Sequence, residues 1–293
     1  MLHILESEYL RISLGEDGGE LFSITGKKND TEFLWNGRKY GWSLSALTMF
    51  PIIGKVKNGV YRVDNKEYKM NQHGFASRLK HEVINKDNNS IEFQLSYSKK
   101  TLKHYPFKFV LKSKYVVEKN VIKIKFTVDN IDNKDIIFTL GSHPAFKCPL
   151  KKGESVEDYY LEFNEIEDSA KILTITKDDF LTGKEKEIFN NDNKLFLTEN
   201  TFKNGTIIFN NLKSNMVTLK SINRKESVTI NFRNFKYLSL WALEETKPFI
   251  CIEPWLGHAD YNDFIGEFKE KEGNIILPSD DSFSCEYEII INE

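Results

Sequence analysis

Hydrophobic and polar residues alternate in many short runs along the chain. The clearest runs are residues 91–97, 122–128, 228–232, 238–242 and 283–291. A period of two sends successive side chains to opposite faces of an extended chain, so each run predicts a β-strand with one buried face. The last run reaches almost to Glu293, which predicts that the C-terminus is part of a sheet.

Turn-forming residues separate these runs. Clusters of Gly, Asn and Asp occur at residues 17–19, 57–59, 85–89 and 204–205, and such residues tolerate the positive φ of tight turns. Strand follows strand without helices of ordinary length, an order typical of antiparallel sheets rather than of a parallel α/β sheet. The sequence therefore predicts an all-β fold, a large antiparallel β-sandwich, as a single domain over residues 1–293.

Helical signals are short. One covers residues 178–190 and is interrupted by Gly183, and the other predicts a single turn within residues 43–50. Aromatic residues make up 13% of the chain, which is enough to fill a broad core between two sheets.

Composition narrows the class of protein. The 293 residues carry a formal net charge of −2 with both signs interspersed, so nucleic acid and anionic membrane surfaces are not expected partners. The first residues lack the basic and apolar regions of a signal peptide, and no stretch reaches the roughly 20 apolar residues of a membrane span. These features predict a soluble, cytoplasmic protein, either a monomer or a homodimer.

The three cysteines are Cys148, Cys251 and Cys285. A sparse, odd number of cysteines is typical of reduced thiols in a cytoplasm. They form no Cys-x-x-Cys pair, so the sequence predicts neither a zinc nor a redox site built on cysteine. The spacing of His258, Asp260 and Asp263 would suit a cation, but no residues can be identified that would hold these ligands in place. The chain contains no glycine motif for nucleotide binding. No metal site and no cofactor is predicted.

A glutamate stands in the apolar run 249–255. Glu253 precedes Pro254, which cannot donate a ladder hydrogen bond, so a strand is expected to end there. A carboxylate at the end of a buried strand is partly desolvated, which raises its pKa and makes it a better base near neutral pH. The alternative is a strand-end glutamate that reaches solvent or caps a loop.

Two histidines have neighbours that shape the backbone. His143 follows the apolar run 136–140 and a Gly-Ser break, and Pro144 keeps it extended, which suits a directional acid. His73 precedes Gly74, which permits a turn with positive φ or a close approach to a ligand. The alternative for both is a structural histidine that is hydrogen-bonded to the protein.

Taken in order, four segments resemble the aldose 1-epimerase (galactose mutarotase) family, and its LacX-like branch in particular. They are Phe-Pro-Ile-Ile-Gly-Lys at 50–55, His-Gly-Phe-Ala at 73–76, Gly-Ser-His-Pro-Ala-Phe at 141–146 and Ile-Glu-Pro-Trp-Leu-Gly at 252–257. The similarity runs from Tyr9 to the final strand. It implies the family's large antiparallel supersandwich, with a sugar site in a groove on one sheet.

The resemblance also implies the family's chemistry. Glu253 matches the glutamate that takes the proton from the anomeric hydroxyl, and His143 matches the histidine that donates a proton to the ring oxygen. His73 matches a second histidine that binds the sugar. The ring opens, the aldehyde rotates, and closure on the other face gives the opposite anomer. Because acid and base act on one hemiacetal, we expect Glu253 and His143 on opposite sides of a space for one pyranose ring.

Some positions depart from the family pattern. Lys55 stands where many members have arginine, and Ser77 replaces the usual arginine, with Arg78 one place later. No aspartate occurs at residues 204–206, where the family's sugar-binding aspartate would fall. Lys55 and Arg78 are predicted to contact the substrate, which is a small sugar.

Several functions fit this pattern, and mutarotation of an aldose is the leading prediction. A sugar-phosphate mutarotase is an alternative, because Lys55 and Arg78 could supply a cationic pocket. A carbohydrate-binding protein without turnover is another, although binding alone does not require an acid and a base. A glycoside hydrolase needs two carboxylates, and only Glu253 is well placed. Trp255 is predicted to bind the apolar face of a sugar, and Trp241 is either a second platform or a core residue.

Overall fold

Residues 1–36, 42–189, 192–243 and 248–293 are described by a computed structural model. Within these ranges the chain forms 24 β-strands and five short 3₁₀ helices, and every pairing between the strands is antiparallel. None of the helices described is long and apolar enough to span a bilayer.

The largest sheet has nine strands. They are β8 (Glu82–Lys86), β9 (Ser90–Ser96), β10 (Phe109–Glu118), β11 (Val121–Asn130), β14 (Tyr159–Glu167), β17 (Asp192–Phe196), β19 (Met216–Ser221), β20 (Ser227–Asn231) and β24 (Ser282–Asn292). Their order across the sheet is β17-β14-β19-β20-β24-β11-β10-β9-β8.

A second sheet has seven strands. They are β5 (Ala46–Met49), β13 (Gly141–Lys147), β15 (Lys171–Ile175), β16 (Leu181–Glu187), β18 (Ile207–Phe209), β21 (Tyr237–Trp241) and β22 (Phe249–Trp255). Their order is β16-β15-β18-β21-β22-β13-β5.

The remaining elements are small. A four-stranded sheet contains β1 (Leu2–Glu6), β2 (Leu10–Gly15), β3 (Leu21–Gly26) and β4 (Thr31–Glu32). Two pairs consist of β6 (Val60–Val63) with β7 (Lys66–Lys69) and of β12 (Ile136–Phe138) with β23 (Ile275–Leu277). The 3₁₀ helices are Lys57–Gly59, Ala76–Arg78, Thr101–Lys103, Val156–Asp158 and Phe268–Glu270.

The hydrophobic core lies between the nine-stranded and seven-stranded sheets. Phe126 and Ile289 from the first sheet belong to the same buried cluster as Leu240 and Ile252 from the second. All five alternating runs coincide with strands of these sheets to within one residue, and the last strand ends at Asn292. The predicted antiparallel sandwich is confirmed.

Both predicted helical segments are wrong. Residues 181–187 form β16, residues 46–49 form β5, and Asn190 lies outside the described residues. After Leu181 every residue of β16 is at least partly exposed, so polar side chains occupy both faces of this edge strand and no alternation marks it. All four residues of β5 are buried, so its two faces do not differ in polarity either.

Candidate active site

The seven-stranded sheet brings the predicted acid and base side by side. His143 lies within β13 and Glu253 within β22. Gly141 pairs with Trp255 and Ala145 pairs with Cys251, so the same register places His143 directly opposite Glu253. His143 Nε2 is 3.4 Å from Glu253 Oε2. The expectation that the two groups face each other across a sugar ring is therefore wrong, because they are neighbours on one surface. Neighbouring groups still suit a hemiacetal, since its hydroxyl oxygen and its ring oxygen are bonded to the same carbon.

Two prolines flank this pair. In an antiparallel ladder, hydrogen-bonded and non-hydrogen-bonded pairs alternate. Leu256 N–H donates to Leu140 O, and counting from this pair along the register of β13 and β22 places Pro144 and Pro254 at hydrogen-bonded positions. A proline has no N–H, so the two strands are joined less tightly around the acid and base. β22 nevertheless continues through Pro254 and pairs with β21, so the prediction that the strand ends at Glu253 is wrong.

Alternation along β13 decides where His143 points. Its neighbour Ser142 shares a hydrogen bond of 2.7 Å with the hydroxyl of Tyr287 in the nine-stranded sheet, so Ser142 faces the core. His143 therefore leaves the opposite face of the seven-stranded sheet. One row of residues crosses that face in register, and it contains Leu47, His143, Glu253, Ser239 and Ile208.

A cavity of about 320 Å³ lies over this row. Its volume is near the lower end of the roughly 300–1,000 Å³ found for ligand pockets, which suits a small molecule. The described residues that line it are Trp42, Leu44, Leu47, Gly54, Gln72, His73, His143, Ile175, Asp179, Thr206, Ile208, Trp241, Glu253, Trp255 and Ala259.

Glu253 is almost completely shielded from water, with 1% of its surface exposed. Oε2 accepts a hydrogen bond of 3.1 Å from Trp255 Nε1–H, and Oε1 has no hydrogen-bond partner in the described part of the chain. Burial raises the pKa of the carboxyl well above its ordinary value, and the bond from Trp255 only partly opposes this. The raised pKa matches the prediction from sequence, although its cause is burial inside a strand rather than at a strand end.

His143 is enclosed by aromatic rings. Its ring centroid lies 5.3 Å from that of Trp42 and 5.9 Å from that of Trp241. Burial, and then the neighbouring His73, lower the pKa of its imidazole well below the ordinary value. Its buried Nδ1 has no side-chain or backbone hydrogen-bond partner from another residue in the described part of the chain.

The backbone of Gly54 fixes the orientation and tautomer of His73. Gly54 N–H donates to His73 Nδ1 at 3.2 Å, and His73 N–H donates to Gly54 O at 2.9 Å. Burial, followed by the charge of Arg78, lowers the pKa of His73 to about 4, so its ring is neutral at pH 7. Because Nδ1 accepts, the proton of the neutral ring is on Nε2. His73 Nε2 lies 3.3 Å from the side-chain amide of Gln72, whose oxygen must therefore face the ring, and the His73 ring centroid lies 5.7 Å from that of His143.

The two predicted cationic contacts lie elsewhere. Lys55 Nζ donates to Asp179 Oδ2 at 2.7 Å and to Asp178 O at 3.0 Å, and neither Lys55 nor the exposed Arg78 is among the described lining residues. Lys55 therefore acts on the cavity through Asp179, which does line it. Trp255 also lines the cavity, and its indole N–H additionally holds the carboxylate of Glu253.

Sequence patterns missed other parts of this cavity. Trp42 belongs to a loop without motif or periodicity, Asp179 lies in the segment that was predicted as helical, and no pattern assigned a role to Gln72. Asp260, considered with His258 as a cation ligand, instead forms a buried ion pair of 3.0 Å with Lys271 Nζ. An ammonium group therefore already compensates that carboxylate.

Comparison with known proteins gives a consistent family. The family model described as aldose 1-epimerase matches residues 1–275. The protein LacX, chromosomal, of Lactococcus lactis subsp. lactis is 32% identical over 260 residues, which cover 86% of this chain and 87% of that protein.

Two solved structures are also very similar. A galactose mutarotase-like protein from Lactobacillus casei is 30% identical with a TM-score of 0.94, and the match covers 100% of both chains. A galactose mutarotase related enzyme from Lactobacillus acidophilus is 29% identical, also with a TM-score of 0.94, over 100% of this chain and 98% of that one.

Proposed function

Because the chain belongs to the aldose 1-epimerase family, we propose that it interconverts the α and β anomers of an aldose by opening and reclosing the sugar ring. The observation that carries the proposal is the pairing of His143 and Glu253, 3.4 Å apart in a cavity of about 320 Å³. A proton acceptor and a proton donor side by side can serve the two oxygens of one hemiacetal carbon.

The pair needs only one transferable proton. For ring opening, the Glu253 carboxylate takes the proton of the anomeric hydroxyl while the His143 imidazolium gives its proton to the ring oxygen. This leaves a carboxylic acid, a neutral imidazole and the open-chain aldehyde. After rotation about the C1–C2 bond, both transfers run backwards on the other face of the aldehyde and restore the charged pair.

Burial sets the balance between the two forms of the pair. It raises the pKa of Glu253 and lowers that of His143, so it favours the uncharged form, which is the one that accompanies the open-chain sugar. The hydrogen bond from Trp255 Nε1–H stabilises the carboxylate form, which starts ring opening. Burial and the hydrogen bond from Trp255 therefore act in opposite directions on the balance between the two forms.

The other lining residues would bind the sugar. A sugar oxygen would replace the Gln72 amide, 3.3 Å away, as the partner of His73 Nε2–H, and a fixed donor favours the oxygen on which negative charge develops. The rings of Trp42 and Trp241 lie 6.0 Å apart, both beside His143, and offer apolar surface against which the C–H face of a pyranose can pack.

Charge at the cavity favours an unphosphorylated sugar over the alternative of a sugar phosphate. Asp179 and Glu253 are the acidic residues among the described lining residues, and Lys55 is already engaged by Asp179. A phosphate at the rim would therefore meet the carboxylate of Asp179, and like charges repel; the exposed Arg78, whose charge reaches His73, is the cation that would have to offset this repulsion.

Anomeric exchange measured by NMR tests the proposal. We expect the protein to accelerate exchange of D-glucose or D-galactose more than that of glucose 6-phosphate. Glu253→Gln nearly preserves side-chain volume but removes the base, and it should lower the rate by at least about 10²-fold. Glu185→Gln makes the same chemical change on the exposed strand β16 and should leave the rate within about twofold.

Two outcomes would contradict the proposal. Near-normal activity of Glu253→Gln would place the base elsewhere. Tight sugar binding without faster exchange for any aldose would favour a carbohydrate-binding protein instead.

A further inference from the structure

A third reactive side chain lies beside the acid and base. Cys251 precedes Glu253 by two residues in β22, so both side chains leave the same face of the strand. Cys251 is fully buried, and one ligand atom from each of Cys251, Glu253 and His143 lies within 4.8 Å of the other two. The proton cycle described above does not use this thiol.

The spacing of these atoms suits a small tetrahedral ion. An ion about 2.0–2.3 Å from each ligand requires ligand atoms roughly 3.3–3.8 Å apart. His143 Nε2 and Glu253 Oε2 are already 3.4 Å apart. The remaining separations are at most 4.8 Å, so side-chain rotations that move the ligand atoms by about 1 Å bring all three into range.

Charge and ligand type select the ion. A thiolate and a carboxylate carry two negative charges and a neutral imidazole carries none, so a divalent ion gives a neutral complex that can stay buried. Burial alone opposes ionisation of both acids, since it raises the pKa of Cys251 and of Glu253. One sulfur, one nitrogen and one carboxylate form a ligand set for Zn²⁺, whereas Mg²⁺ and Ca²⁺ prefer oxygen ligands only.

We propose that His143, Cys251 and Glu253 form a zinc-binding site and that Zn²⁺ bound there blocks mutarotation. On binding, the S–H bond of Cys251 breaks, a sulfur–zinc bond forms, and the proton leaves to solvent; a protonated Glu253 releases its proton in the same way. The ion takes up the imidazole and the carboxylate that would otherwise transfer protons. The inhibition rests on the proposed function, whereas the metal binding does not.

Metal binding is tested without any turnover. The wild-type protein is titrated with Zn²⁺ and with Mg²⁺ by calorimetry, and with Co²⁺ by absorption spectroscopy, because cobalt bound to a thiolate gives a near-ultraviolet charge-transfer band. We expect one Zn²⁺ per chain, no Mg²⁺ binding at the same concentrations, and the thiolate band with Co²⁺. Cys251→Ala should remove the band and weaken Zn²⁺ binding by more than about 100-fold, since even outer-shell changes cost about 10–100-fold.

Cys285→Ala is the matched control. Cys285 is also buried but lies in β24 of the other sheet, so this variant should keep the band, the affinity and the inhibition. If Cys251→Ala does not fold, retention of the band by both Cys285→Ala and Cys148→Ala assigns it to Cys251 by elimination. Cobalt binding without a thiolate band, or unchanged affinity in Cys251→Ala, would overturn the site.

Inhibition is measured separately. Zn²⁺ should suppress anomeric exchange by the wild-type protein, a chelator should restore it, and excess D-glucose or D-galactose should slow the loss. Each variant is compared with its own zinc-free rate, and Cys251→Ala should lose at least tenfold in sensitivity to Zn²⁺. Zinc that binds with the cobalt signature but leaves exchange unchanged would overturn the inhibition while leaving the metal site in place.

Discussion

The hydrogen bond from Trp255 to Glu253 gives a quantitative test of the proposed acid–base pair. Trp255→Phe keeps an aromatic ring in the cavity wall but removes the Nε1–H that donates to Glu253 Oε2 at 3.1 Å. The other carboxylate oxygen has no hydrogen-bond partner within the described ranges, so the variant leaves the buried carboxylate with the 3.4 Å contact from His143 Nε2 to Oε2 as its remaining polar contact there. The carboxylate form is the one that starts ring opening, and it loses the most.

The size of the effect follows from the type of bond. A hydrogen bond to a charged group contributes about 1.5–3 kcal/mol, and each 1.36 kcal/mol changes a rate tenfold. We therefore expect kcat/KM for anomeric exchange to fall by about 10- to 150-fold in Trp255→Phe. NMR exchange measurements on D-glucose and D-galactose give the rate, and thermal unfolding shows whether the fold is kept.

Trp241→Phe is the control for loss of indole area. Trp241 lines the same cavity and contacts the ring of His143, but its partners do not include the carboxylate of Glu253 in the described structure. This variant should affect KM more than kcat, because it alters a binding surface. If Trp255→Phe stays within twofold of the wild type, the carboxylate form does not limit the reaction and the argument from Trp255 fails.

Two further predictions concern backbone support and pH. Gly54→Ala should lower activity by about 10- to 100-fold, because the backbone has φ +66° and the added Cβ would lie 2.6 Å from Ala259 Cβ, which displaces the N–H that holds His73. Gly183→Ala is the control, since Gly183 has φ +75° but open space around its Cβ. Equal losses of activity in the two variants would contradict the reasoning. Burial lowers the pKa of His258 from 6.5 to about 4, so on acidification the unfolded chain binds a proton at a higher pH than the folded chain does. The free energy of unfolding should therefore fall as the pH drops from 6.5 towards 4, and His258 alone should account for about 2 kcal/mol of this loss at pH 5. His258→Asn keeps a donor for Ala259 O and should reduce this acid sensitivity in urea unfolding at pH 7 and pH 5, whereas an unchanged difference would exclude His258 as the cause.

Sequence periodicity predicted the fold well where strands have one wet face. β9, β11 and β24 alternate clearly because one side of each faces the core and the other is more exposed. The pattern failed at the two extremes, the exposed edge strand β16 and the buried strand β5, because neither has two faces of different polarity.

The site was predictable in its residue types but not in its geometry. The motifs around His73, His143 and Glu253 identified candidate proton-handling groups, and all three line one cavity. That His143 and Glu253 touch side by side depends on the register between β13 and β22, which far-apart segments set together. The partners of Lys55 and of Trp255 are likewise contacts made by packing, which no local spacing reveals.

Some residues that line the cavity belong to strands and others belong to loops, and the two groups tolerate evolutionary change differently. His143 and Glu253 stand on interior strands of the seven-stranded sheet, β13 and β22, where any shift would disturb neighbours on both sides. Asp179 and Thr206 come from connections outside the strands, where substitutions and insertions are better tolerated. Under the proposed function, a lineage could therefore exchange one sugar for another through changes in its loops, while the residues proposed to transfer protons are inherited with the sheet.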